Sequence, residues 1–419
     1  MNSSLIEARK YCVSVFDGTH DTPKPTSDGK LLITSKHISG GLLDVSTAYL
    51  ISIDDYYAIQ KRSSVSQWDI LFSMIGSVGE VYLEQNKEID YAIKNMGVFS
   101  CQDEYQAKWL YYYFKSPAAK QYIRNYLNGA VQKFLPLGAL RAFPVIPFSD
   151  EKKRLVEVLE ALDAKIELNN RINAELEAMA KTLYDYWFVQ FDFPDENGKP
   201  YKSSGGKMVY NEELKREIPE GWEVGTLENI AKLYRGVSYG KDDIKQPNDT
   251  GTTPILRATN ITGNTIDLDN MVYVPNKFVS TEQLLNKYDI LITMSSGSIE
   301  HIGKNGFYYF DKKVAFGAFC AKFVSKKNFR YYLYSYTQSD FMFATIKNEC
   351  LGTNINNLNS SLVNGFRIII PPYELIEEFN DKVENVYEKI ANNHKETQQL
   401  TQLRDWLLPM LMNGQVTVK

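Results

Sequence analysis

Cysteine and histidine are scarce in this 419-residue chain, four of each. Cys12, Cys101, Cys320 and Cys350 stand far apart with no C-x-x-C pair, and His20, His37, His301 and His394 include no H-x-x-x-H pair. Such spacing offers neither a zinc template nor a disulfide framework, so reduced thiols and no metal site are expected. A basic stretch leading into an apolar run is missing at Met1-Asn2-Ser3-Ser4-Leu5, and nowhere do about eighteen apolar residues follow one another. The sequence therefore predicts a cytoplasmic protein without a membrane span. Nucleotide-binding motifs are missing too. Gly297 and Gly303-Lys304 are one residue too far apart for a phosphate-binding loop, and Asn305 follows where Ser or Thr is needed. G-x-G-x-x-G does not occur, and Pro371-Pro372-Tyr373 lacks the Asp or Asn that an amino-methyltransferase uses to accept its target amine. The expectation is a chain with no catalytic residues and no cofactor of its own.

What is present is a globular composition, 44% hydrophobic and 23% charged, with a surplus of tyrosine (28 residues). Its length suits two or three domains. The net charge of −4 is unevenly spread: residues 1–149 carry +1 and 226–372 carry +4, while 150–193, 194–225 and 373–419 carry −4, −2 and −3. Acidity sits in the short segments, so the total does not exclude a polyanionic ligand.

An internal repeat organises the chain. Leu32 to Gly40 followed by Asp44 matches Ile255 to Gly263 followed by Asp267, at an offset of 223. Asp69-Ile70-Leu71 recurs as Asp289-Ile290-Leu291, and Leu110, Tyr111, Tyr113, Ser116, Ile123, Gly129 and Leu135 return as Leu333, Tyr334, Tyr336, Ser339, Ile346, Gly352 and Leu358. The chain is two copies of one unit. In each, a long segment alternates strand-like Val/Ile/Tyr/Thr runs with Gly, Asn and Asp turns and carries one aromatic helix, near 103–127 and 328–349, which reads as an α+β domain. The tyrosines at 111–113 and 331–332 fall at helical spacing among apolar residues and are expected in the core.

The second segment of each unit has a different period. Leu155, Leu159, Leu162, Ile166, Asn169, Asn173, Leu176, Leu183 and Trp187 follow steps of four and three with Ala180 filling the gap; Phe379, Val383, Val386, Ile390, Asn393, Thr397, Leu400, Leu407 and Leu411 repeat them 224 residues later. Each is a helix of about 33 residues with a coiled-coil seam, entered after Pro147 and after Pro371-Pro372. Packing on each other satisfies both seams; covering only its own domain would ask for a wider apolar stripe. Asn169 and Asn393 would fix the register. Phe193 to Lys207 is rich in Pro, Gly and Ser and marks a linker. The boundaries that follow are a first domain at 1–149, a central helix at 150–193, a linker at 194–225, a second domain at 226–372 and a C-terminal helix at 373–419.

Polar residues at strand ends are the candidate ligand contacts. Thr34, Lys36 and His37 in the first unit hold the places of Arg257, Thr259 and Asn260 in the second. Arg and Asn can pair with guanine and adenine edges, although Thr and Asn also cap turns. Lys61, Arg62, Lys133, Arg235, Lys241 and Lys304 are candidate phosphate contacts.

Phe16-Asp17-Gly18-Thr19-His20-Asp21-Thr22-Pro23, the two Asp-Ile-Leu strands, Leu183 to Phe188 leading to Ile218-Pro219-Glu220-Gly221-Trp222, and Leu408 to Gly414 together resemble the specificity subunit of type I restriction-modification enzymes, over essentially the whole chain. The resemblance implies two α+β target-recognition domains separated by two long antiparallel coiled-coil helices. Each domain would read half of a bipartite site in double-stranded DNA. The helices would dock two methyltransferase subunits, with restriction subunits completing the complex and S-adenosylmethionine bound by the methyltransferase. Many members place a charged residue shortly after the Asp-Ile-Leu strand, where this chain has Met74 and Met294. A tandem-domain coiled-coil adaptor without DNA specificity is the alternative from another class.

Overall fold

A computed structural model describes residues 5–128, 134–247, 249–326, 328–353, 357–412 and 414–415. The chain divides into two compact units, 1–167 with 398–419, and 168–397. In the first, β1 (Ser14–Asp17), β2 (Lys30–Thr34), β3 (Tyr49–Ile51), α1 (Ile53–Ser63), β4 (Asp69–Ser73), β5 (Val81–Leu83), β6 (Tyr91–Lys94) and β7 (Met96–Ser100) form two sheets. One is antiparallel in the order β1-β7-β4-β5; the other has the order β3-β2-β6, with β2 and β6 parallel. Helices α2 (Glu104–Lys115) and α3 (Pro117–Asn128) follow. The core is aromatic: Phe114 and Phe143 meet edge to face at 5.2 Å, and Phe72 packs against both and against Phe99. Such contacts add to the burial of large rings.

Helix α4 (Lys153–Tyr184) enters the second unit, where a hairpin of β8 (Met208–Asn211) and β9 (Arg216–Pro219) precedes the repeated domain. The domain comprises β10 (Ala231–Arg235), β11 (Thr252–Leu256), β12 (Val272–Pro275), β13 (Ile290–Thr293), β14 (Asn305–Phe307), β15 (Ala315–Phe316), β16 (Cys320–Ser325), α5 (Arg330–Thr337) and α6 (Asp340–Thr353). Its sheets run β10-β16-β13-β14 and β12-β11-β15, the same orders with the same parallel pair, β11 with β15. The sequence repeat is thus a repeat of topology. Residues 194–225 differ from an open linker. Phe193 stacks on Tyr201 at 4.7 Å and on Trp222 at 5.1 Å, and these rings join the apolar core of the second unit. Aromatic burial holds down a segment whose Pro, Gly and Ser content alone suggests freedom.

Two repeated motifs have local explanations. Asp69 accepts the Ser66 backbone N–H at 2.9 Å and Asp289 that of Asn286 at 2.9 Å, so the first residue of each Asp-Ile-Leu strand closes the turn before it. That turn holds Trp68 (φ 68°) and Tyr288 (φ 70°) in the left-handed region, the same strain in both copies. Each predicted aromatic helix is two helices. Ser116 and Ser339 cap the second of each pair, accepting from Ala119 and Met342, and Pro117 takes the first helical position of α3.

Helix α7 (Tyr373–Met412) follows the double proline. Within each unit it runs antiparallel to α4: Arg404 pairs with Asp163 at 2.8 Å in the first, while Asn169 donates to Glu396 at 2.7 Å and Asn393 to Asn173 at 2.8 Å in the second. Leu155, Leu159, Asn169, Phe379, Val383, Ile390 and Asn393 are buried, and Leu162, Ile166, Leu176, Leu183, Val386, Leu400 and Leu407 half-buried. The helices also cover their own domains. Leu155, Val156, Leu159, Leu408 and Leu411 belong to the first core; Phe379, Val383, Tyr387 and Ile390 belong to the second.

Candidate nucleic-acid interface

Strand pairing brings the same four loops together at one end of each four-stranded sheet. In the first unit the loop after β1 bridges the β6–β7 turn at Thr19 and Lys94, and the loop after β4 bridges the segment after α3 at Ile75 and Phe134. Gly18 is required there: a Cβ would stand 2.6 Å from the Ile93 carbonyl oxygen. In the second unit Val237 bridges Gly317 and Ser295 bridges Asn357, and a Cβ on Gly236 would stand 2.1 Å from the Gly317 oxygen. The frame is duplicated down to its obligatory glycine.

The side chains at the tips differ. In the first unit His20 contacts Asp17 through Nε2 at 3.1 Å and Asn95 through Nδ1 at 2.8 Å; Arg62 donates to the other Asp17 oxygen at 3.1 Å. Asp17 is buried, whereas His20 and Arg62 are exposed, so a buried carboxylate orients two ring or guanidinium donors at the surface. Ser35 donates to the Asn95 carbonyl at 3.1 Å, which ties the turn of Thr34 and Lys36 to this cluster. Two adjoining clefts of about 310 and 510 Å³ share Ile75 and Asn95; Lys36, Ser77 and Glu80 line the second.

In the second unit Arg235 donates to the Ala318 carbonyl at 2.9 Å, and the Phe319 carbonyl accepts Met294 N–H at 2.8 Å and Ser295 N–H at 3.2 Å. The Gly317 N–H donates to Leu256 at 2.8 Å, so the start of the Arg257–Thr259 turn lies against the same loop. Lys304 immediately precedes β14, the strand that returns from β13; its carbonyl accepts Thr293 N–H and its Nζ lies 2.9 Å from His301.

Of the residues expected from sequence, Thr34, Lys36, Arg62, Arg235, Arg257, Thr259 and Lys304 thus belong to these sheet ends. Lys61 is exposed on α1 and Lys241 in a short helical turn. Lys133 lies outside the described residues. His37 and Asn260 need correction. His37 is 2% exposed and accepts the Thr34 N–H at 2.9 Å; burial, with Lys36 nearby, lowers its pKa and favours the neutral ring. Asn260 is 3% exposed, accepts Arg257 N–H and donates to the Asp267 and Asp269 carbonyls. His37 Nδ1 and the Asn260 side-chain amide close turns and both residues are buried, so both leave the set of ligand contacts. Sequence reasoning missed His20, Asn95 and Phe319, none of which has a residue of the same type at the matching place in the other repeat.

A model of the type I restriction modification DNA specificity domain matches residues 33–178 and 219–402, one match on each repeat. The MjaIX specificity subunit of Methanocaldococcus jannaschii is 28% identical over 323 residues, 76% of this chain and 71% of that protein. The EcoKI specificity subunit of Escherichia coli is 28% identical over 208 residues, 48% of this chain and 45% of the relative. The HindI specificity subunit of Haemophilus influenzae is 21% identical over 440 residues, 85% and 88% of the two chains. A duplicated α+β domain joined to antiparallel helices is the architecture of a DNA-recognition protein of this kind. The chain belongs to the type I restriction-modification specificity family, whose members are non-catalytic DNA-recognition subunits. The adaptor alternative is set aside by the same matches. Among the described residues no helix is long and apolar enough to cross a membrane.

Proposed function

We propose that this subunit reads an asymmetric, bipartite site in double-stranded DNA, one half through each unit, for a cytoplasmic type I complex. The observation that carries the reading is a duplicated four-loop frame with different tips: His20, Asn95 and Glu80 in one unit, Phe319 and Lys304 in the other. A constant frame with variable edges suits two half-sites of different sequence. We assign Thr34, Lys36, Arg257 and Thr259 to base edges and Lys61, Arg62, Lys133, Arg235, Lys241 and Lys304 to phosphates, by residue type, in domains taken as 1–149 and 226–372.

The helices, 150–193 and 373–419, are the docking surface for two methyltransferase subunits, with restriction subunits joining through them. Exposed apolar side chains at repeat-related places support this: Met179 on α4 and Leu403 on α7 are related by the repeat offset, and Trp406 lies beside Leu403 on the same helix. Related positions on the two helices suit two copies of one partner. S-adenosylmethionine belongs to that partner. The test is methyl transfer from labelled S-adenosylmethionine to DNA. The purified chain alone should transfer nothing, and adding methyltransferase subunits should produce sequence-specific methylation. Transfer by the isolated chain, or methylation without sequence preference in the full complex, would refute the reading.

A further inference from the structure

Asn95 and Phe319 occupy one position of the duplicated frame. Ser73 pairs with Met96 and Thr293 with Cys320, so each residue immediately precedes the same inner strand of its four-stranded sheet. Asn95 is fixed by its contacts to His20 and Ser35. Phe319 is fixed only through its backbone. The Gly317 carbonyl accepts Cys320 N–H at 2.8 Å, the Ala318 carbonyl accepts from Arg235, and the Phe319 carbonyl accepts two N–H groups. Three successive carbonyls are tied down while the ring they carry is 67% exposed. Single exposed apolar residues are ordinary on a mobile surface, but a rigid turn that presents a phenyl ring forgoes burial of a large side chain. The cations Arg235 and Lys304 stand at the same sheet end, which gives the ring a setting suited to a polyanion.

We propose that Phe319 is a specificity-determining residue of the second unit, packing its ring against a thymine 5-methyl group in the major groove, at the place where the first unit presents Asn95. Thymine alone carries that methyl, so an apolar contact there distinguishes it without a hydrogen bond. This rests on the DNA-recognition reading above.

The experiment uses the complete complex with methyltransferase subunits and a DNA library that varies the second half-site while the first is held constant. Wild type should prefer thymine at one position, and F319A should lose that preference by a factor of about 4, the worth of burying one methyl group. The first half-site preference and the thermal melting of F319A should match wild type, and F319L should retain most of the effect. Replacing that thymine by uracil should cost wild type the same factor and leave F319A indifferent. An F319A profile identical to wild type, or a preference that survives loss of the methyl group, would overturn the proposal while leaving the DNA-recognition reading intact. A wild-type complex without any sequence preference would instead remove the reading on which it rests.

Discussion

The Asn393 side-chain amide donates to Asn173 Oδ1 at 2.8 Å, joining the two long helices through buried polar groups, 2% and 4% exposed. One turn away Asn169 donates to Glu396 at 2.7 Å. Buried amides cost stability but penalise any other register, because a slipped helix would leave them unpaired. Asn393→Ala should therefore lose about 1–3 kcal/mol by stranding Asn173. The double change of Asn173 and Asn393 to Leu should recover most of that loss. Urea titration of the two variants checks both figures, and a double variant less stable than the single one would show that the amides do not act as a register pair.

A second prediction concerns pH. Glu177 on α4 accepts from Asn264 and faces Tyr309, Tyr334 and Tyr387; burial raises its pKa from 4.5 to about 7, against the opposing pull of the Asn264 amide. His394 stacks on Tyr309 with ring centroids 5.0 Å apart, and burial lowers its pKa from 6.5 to about 4. For Glu177 the folded state binds the proton more tightly, so its contribution is lost as pH rises from 4.5 to about 7. For His394 the unfolded state binds it more tightly, so its contribution is lost as pH falls from 6.5 to about 4. Each amounts to about 3 kcal/mol, and the two nearly cancel across the shared window. Glu177→Gln should remove one side of the balance: stability of this variant should fall steeply with acid over that window, where wild type changes little. A variant whose pH profile parallels wild type would contradict the assignment.

The first unit joins its domain to the helices with ions. Lys108 pairs with Glu160 at 2.6 Å, and Asp163 receives Arg404 at 2.8 Å and Lys115 at 3.7 Å. The second unit uses rings at the corresponding face, including Tyr331 stacked on Tyr387 at 4.9 Å. Asp163→Asn removes the carboxylate shared by two largely covered cations, leaving Arg404 with Asp405 and Lys115 with the Tyr111 hydroxyl, and should cost about 1–3 kcal/mol. Because covered pairs are weakly screened, that cost should persist at high salt. Denaturation at low and high salt measures it; a cost that vanishes with added salt would mark the cluster as a surface feature.

How much was legible in the sequence follows from which interactions are local. The seam from Leu155 to Leu183 and its copy show in periodicity, because apolar spacing and helical burial have the same geometric cause. The split of each aromatic helix at Ser116 and Ser339 was missed, although serine is a local capping signal and Pro117 follows the first of the two. The candidate site was only partly visible. Repetition marked His37 and Asn260, but what repeats is the frame, and these residues close its turns. His20, Asn95 and Phe319 become neighbours of the site only through pairing between distant strands, which no spacing in the sequence reveals.

The central claim, one half-site per unit, is tested most directly by exchanging residues 1–149 for the same domain of a relative that methylates a different sequence, then sequencing the modified sites in cells carrying the complete complex. The account predicts that one half of the recognised site changes to that of the donor while the other half keeps its sequence. A change in both halves, or in neither, would contradict it.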